Sequence, residues 1–120
     1  MTAQADRTGR DATYDDISGE GAGVLLVLAL AVDVHLPDAR SLKDRRAVVR
    51  PVLDGARHRF RVSAAEVGYQ DLWQRARLGF VVVASSQSQA TEIIDDVERF
   101  VWSFPELEVT ATERWWLETD

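Results

Sequence analysis

The chain has 120 residues, 46% of them hydrophobic, no cysteine, and a formal charge of −6. That is the length of one domain with an ordinary soluble composition; it leaves no room for a large enclosed active site beside the core, and it excludes disulfides, thiolate nucleophiles and cysteine-based zinc sites. The charge is unevenly placed: residues 40–77 carry ten basic and four acidic side chains, net +6, and the remainder four basic and sixteen acidic, net −12, as expected of a soluble surface with one face turned toward an anionic partner.

Residues 1–23 are polar and small, with Gly19, Gly21 and Gly23 at the end. They follow neither the helical nor the strand period, which predicts a disordered acidic tail. They lack the basic start and apolar stretch of a secretory signal. The longest apolar run, Val24 to Val32, spans nine residues, against about 20 for a membrane helix. With cysteine missing as well, the expectation is a cytoplasmic protein with no membrane partner.

Residues 24–36 alternate with period two, which predicts a strand. One face is apolar throughout (Val24, Leu26, Leu28, Leu30, Val32, Val34, Leu36); the other starts apolar and ends in Asp33 and His35. Pro37 ends the strand, and Ser41 is a good N-cap with Asp44 in the first turn. Leu42, Val49, Leu53, Ala56 and Phe60 then form one helical face, and Lys43, Arg46, Arg50 and Arg57 form a basic stripe. Pro51 inside this helix predicts a kink near Ala47 to Arg50, and Gly55 weakens the same half.

Residues 61–69 and 76–85 are predicted to be the second and third strands, joined by a polar loop too long for a two-residue hairpin turn. A second helix follows from about Ser85–Ser88 to Phe104, stopped by Pro105. A fourth strand covers 106–116 and ends at Trp115-Trp116. Strand, helix, strand, strand, helix, strand predicts an α+β ferredoxin-like βαββαβ domain over residues 24–117. It would have a four-stranded antiparallel sheet with two helices on one face and the other face open.

No P-loop, G-x-S-x-G or H-E-x-x-H pattern occurs. Asp33 and His35 share a strand face but are expected as surface groups, and Glu92, Asp95 and Asp96 as a solvated helix face. The basic stripe has two open readings: a solvated face, or a set of phosphate contacts to a backbone or a folded RNA surface. In the loop, Asp71 and Trp73 are expected to be structural, at the turn and the core edge. Gln70, Gln74 and Arg75 would bond across to the start of the first helix. Part of the Trp102, Trp115 and Trp116 area is expected in the core; a tryptophan facing out would mark an interface.

The stretches HLPDARSLKDRRAVVR (35–50) and FRVSAAEVGYQDLWQRARLGFVVVAS (60–85) closely resemble the YlxP-like family of small bacterial proteins, a domain of unknown function. The resemblance spans residue 24 to about 117, and the S-L-K-x-[KR]-R portion at 41–46 is specific in combination. Arg45 stands where the family usually has lysine, and Pro51 departs from the pattern. The resemblance implies a ferredoxin-like fold and brings no catalytic residues with it. Genes of the family tend to lie among those for ribosome maturation and translation initiation factors, which implies a role near the ribosome or RNA.

The leading expectation is a non-enzymatic protein that binds ribosomal RNA or a ribosomal particle. Arg40, Lys43, Arg45, Arg46, Arg50 and Arg57 would meet phosphates, and Gln70, Asp71, Gln74 and Arg75 would add loop contacts. No catalytic residue, metal ligand or cofactor is assigned. The alternative, of a different class, is a protein–protein or homodimerisation module using the open sheet face and the tryptophan end.

Overall fold

The computed structural model describes residues 23–117, so the predicted tail lies, but for Gly23, outside the described residues. The elements are β1 (Leu26–His35), α1 (Leu42–Phe60), β2 (Ser63–Gly68), β3 (Arg75–Ala84), α2 (Gln87–Trp102) and β4 (Glu108–Leu117). The strands form one antiparallel sheet ordered β2-β3-β1-β4. This is the ferredoxin-like βαββαβ arrangement, an α+β fold with an open sheet.

Strand alternation divides the sheet into two faces. On the inner face Leu28, Leu30, Val32 and Val34 lie beside Val82, Phe80, Leu78 and Ala76 of β3. The helices close over them with Val49, Val52, Leu53 and Ala56 of α1 and Ala90, Ile94, Val97 and Val101 of α2. Each fully buried Val, Leu, Ile or Phe contributes about 1.5–3 kcal/mol relative to exposure. This one cluster is the core that holds both helices to the same side.

Several element ends differ from the sequence expectation for local reasons. Val24 and Leu25 are exposed ahead of β1, because β3 ends at Ala84 opposite Leu26. Arg61 does not begin β2; it is the left-handed C-cap of α1 (φ 55°), its N–H bonded to the Arg57 carbonyl at 3.1 Å. α2 stops at Trp102, where Ser103 caps it and donates its hydroxyl to the Phe100 carbonyl at 2.6 Å.

α1 runs on through Pro51 for 19 residues. The acceptor that Pro51 leaves free is the carbonyl of Ala47; both residues are exposed, so water can satisfy it. Gly55 has a packing reason: a Cβ there would lie 2.5 Å from Cζ of Phe100. That ring is fixed edge-on to Phe60 (centroids 5.6 Å apart) and Phe104 (5.1 Å).

The aromatic expectations need correcting. Trp73, expected at the core edge, is 52% exposed, and Trp102, Trp115 and Trp116 are 59%, 44% and 41% exposed, so none is a core residue. The core closes with Phe80 and aliphatic side chains instead. β4 is an edge strand, and its register with β1 shifts between Asp33 and Val34.

Candidate functional site

The cap of α1 sets the direction of every basic residue along it. Ser41 Oγ accepts from the Asp44 N–H at 3.0 Å, and Asp44 Oδ2 accepts from the Arg40 N–H at 2.9 Å. This exchange satisfies two backbone donors and starts the helix at a defined phase. Arg45 then falls four residues before Val49, seven before Val52 and eleven before Ala56, on the buried stripe. Lys43, Arg46 and Arg50 fall on the solvent side.

Arg45, included in the sequence-based phosphate set, is therefore turned inward and is 3% exposed. Its Nη1 meets Glu66 Oε1 at 2.5 Å, Nη2 donates to the Tyr69 carbonyl at 3.1 Å, and Nε donates to the Arg75 carbonyl at 3.3 Å. It staples α1 to the β2–β3 hairpin. The signal was present in the spacing, but a search for apolar residues alone passes over a stripe whose first member is charged.

The other basic residues separate by their partners. Arg57 donates to Asp54 Oδ1 and to the Ala64 carbonyl, both at 2.7 Å, which ties it to its own helix and to β2. Arg40 donates to the Pro37 carbonyl at 3.3 Å. The side chains of Lys43, Arg46 and Arg50 have no hydrogen bond or ion pair among the described residues. With Ala47 and Pro51 they line a shallow depression of about 460 Å³. Lys43–Arg46 and Arg46–Arg50 are like-charge pairs at helical spacing, each unfavourable by about 0.2–0.5 kcal/mol. Lys43 also sits in the first turn, at the positive end of the helix dipole, which costs about 0.3–1 kcal/mol. The three cations thus stand against the fold by roughly 0.7–2 kcal/mol in sum, and an anion in the depression would relieve it.

The loop is held at the same end of the molecule. Gln74 Nε2 crosses to the start of α1, donating to the carbonyls of Ala39 (3.1 Å) and Pro37 (3.3 Å), and its own carbonyl accepts from the Leu36 N–H at 2.9 Å. Gln70 and Arg75 do not cross. Gln70 donates to the Glu66 carbonyl at 3.1 Å, and the Arg75 guanidinium lies 4.0 Å from the Tyr69 ring centroid. Asp71 sits in the turn closed by the Leu72 N–H and the Tyr69 carbonyl at 3.1 Å.

Asp33 and His35 do not form a pair. Asp33 accepts from Arg77 at 2.9 Å, while His35 Nδ1 lies 3.0 Å from Glu108. Hydrogen bonds to Glu113 and then Asp33 hold the Arg77 guanidinium above its ordinary pKa. Burial alone would lower that of Arg114, but its bonds to Glu98 and Asp95 outweigh burial and raise it. Three of the acidic residues on α2 thus have a protein partner, Asp95 and Glu98 in Arg114 and Asp96 in Arg99. Among the described residues no group of three or more His, Asp or Glu is placed to hold a metal ion, and no helix is long and apolar enough to cross a membrane.

Fold and site together define a small ferredoxin-like α+β protein whose positive charge without a partner among the described residues is concentrated on one helix. The chain belongs to the DUF503 family, described as a protein of unknown function, whose model matches residues 27–114. It is 44% identical over 79 residues to the uncharacterized protein YlxP of Bacillus subtilis (strain 168), an alignment covering 66% of this chain and 86% of the relative.

Proposed function

We propose that this protein is a non-enzymatic RNA-binding protein of the ribosomal machinery, and that Lys43, Arg46 and Arg50 are its phosphate contacts. The observation that carries this reading is the run of three mutually repelling cations without partners among the described residues, on an exposed helix face, in a chain that is otherwise strongly acidic. Arginine's planar fork suits phosphate oxygens, and Lys43 adds a point charge beside the positive end of the helix. Arg40 extends the patch at one end. Arg57 extends it at the other, with its guanidinium already engaged. Arg45 supports the patch by fixing the helix on the hairpin. The phosphate chemistry itself does not distinguish one nucleic acid from another; the YlxP-like resemblance directs the reading to RNA.

Three phosphate contacts predict a definite salt response. Log K should fall against log salt with a slope of about −2.1 to −2.7, so affinity should drop roughly 20- to 40-fold between about 50 and 200 mM salt. The test is co-sedimentation with ribosomal subunits at those two concentrations. Wild type is compared with the triple variant Lys43→Glu, Arg46→Glu, Arg50→Glu, confirmed folded by circular dichroism. Wild type should sediment at low salt and be released at high salt, while the variant should stay in the supernatant. Sedimentation insensitive to salt, or equal for both proteins, would sink the proposal.

A further inference from the structure

The open face of the sheet carries an apolar trough. Five small residues (Ala29, Ala31, Ser63, Ala65 and Gly79) and their neighbours set its relief. Ala31 pairs with Gly79, and Gly79 with Ala65, so one row across β1, β3 and β2 has almost no side-chain height. The next row, Ala29, Val81 and Ser63, is low as well. Together they floor an apolar trough of about 400 Å³. Val67, at the bulge in β2, leans over one end: its Cγ1 would lie 3.0 Å from a Cβ placed on Gly79. Trp115, paired with Ala29, stands at the other end and is 44% exposed. Beyond the low rows the register of Val27 with Val83 and Leu117 continues the apolar surface.

The charges on this face do not select a charged partner. Arg77 lies between Asp33 (2.9 Å) and Glu113 (2.7 Å), its guanidinium divided between two carboxylates of the same face. With its cation engaged by two carboxylates, the trough offers a nucleic acid no free cation among the described residues, and the one negative charge left over sits with the half-exposed Glu113 on β4. The basic stripe lies on the exposed side of α1, and α1 packs on the other face of the sheet.

Position along the sheet decides the occupant. β4, which carries the Trp115 knob, is the neighbour of β1 on one side; β3, which carries Gly79 at the trough floor, is its neighbour on the other. A twofold axis laid along β1 exchanges these two sides. Each Trp115 then comes over the low ground of the opposite sheet, as an isologous interface requires. Four strands about 4.8 Å apart and eight residues at about 3.3 Å make a face of roughly 19 by 26 Å. That is a flat footprint of about 500 Å², below the roughly 800 Å² of accessible surface per partner of a standard interface and in the range of a weak, concentration-dependent one. We propose that the occupant of the open face is a second copy of this chain, packed sheet to sheet, with Trp115 as the anchor in the opposing trough, over its Ala29–Val81–Ser63 row and beside Gly79.

The test is sedimentation equilibrium of the full chain from micromolar to several hundred micromolar. It is run on wild type, Trp115→Ala, Ala65→Glu, and the triple Glu variant of the α1 stripe. Trp115 and Ala65 are exposed, so unchanged circular dichroism and urea midpoints, measured where each protein is monomeric, should show that both variants remain folded. Wild type should approach twice the 13.4 kDa chain mass. Trp115→Ala and Ala65→Glu should each weaken the dimer at least about 30-fold, the scale of an interface hot spot, and the stripe variant should dimerise like wild type. A monomer at every concentration overturns the proposal, whether the face is then open, covered by residues 1–22, or reserved for a different protein. A dimer indifferent to both substitutions overturns it too, since the contact must then lie elsewhere.

Discussion

Replacing Arg45 by methionine should destabilise the protein severely, whereas the same replacement at Arg46, one residue on, should leave its stability almost unchanged. Methionine retains much of the apolar stem but removes the ion pair to Glu66 and the bonds to the carbonyls of Tyr69 and Arg75. Removing one partner of a buried pair costs about 3–5 kcal/mol. The Glu66 side chain is 25% exposed and recovers some hydration, which places the loss at the lower end, about 3 kcal/mol. For a domain of this size each kcal/mol moves Tm by about 4–8 °C, so the expected drop is about 12–24 °C. Arg46→Met acts on an exposed side chain and should stay within about 0.5 kcal/mol. It should even gain slightly, since it removes repulsion from both Lys43 and Arg50. Urea and thermal unfolding measure both effects. RNA binding, measured well below each Tm, should show the opposite order: Arg46→Met lowers affinity and reduces the salt slope by about 0.7–0.9, while Arg45→Met changes neither. Equal stabilities for the two variants, or loss of RNA binding by folded Arg45→Met, would refute the division between an inward staple and an outward contact.

Two further substitutions probe the framework that holds the patch. Gly55→Ala sets a helix-propensity gain of about 1 kcal/mol against overpacking of the Phe100 ring, which costs about 1–3 kcal/mol. Because Phe60 and Phe104 pin that ring, the net result should be a Tm lowered by several degrees; a raised Tm would show that Phe100 yields freely. Ser41→Ala removes the acceptor of the Asp44 N–H and should cost about 1 kcal/mol, while Ser41→Asn should retain most of the stability. Equal losses for Ala and Asn in chemical denaturation would count against the cap.

The order and type of the six elements could be read from the chain because they depend on local periodicity and breakers. Leu28 to Val34 alternate at period two, Val49 to Ala56 recur at helical spacing, and Ser41 and Pro105 mark ends that need no distant partner. That order in turn favours the split βαβ arrangement, since parallel strands must be joined by a crossover. The basic stripe was legible for the same reason: residues 43, 46 and 50 share a helix face whatever they pack against. What only the tertiary structure decided is which neighbour of each polar group lies far away in sequence. Arg45 and Arg46 have the same charge and adjacent positions, yet one meets Glu66 and two hairpin carbonyls and the other meets solvent. Gln74 reaches the Pro37–Ala39 segment ahead of α1 while Gln70 and Arg75 stay on their own hairpin. Trp115 could not be placed without the register that seats it opposite Ala29 on the open face. Periodicity assigns a side chain to a face of its own element. Whether that face is buried, and by what, depends on contacts that exist only once β1, β3 and the helices have come together.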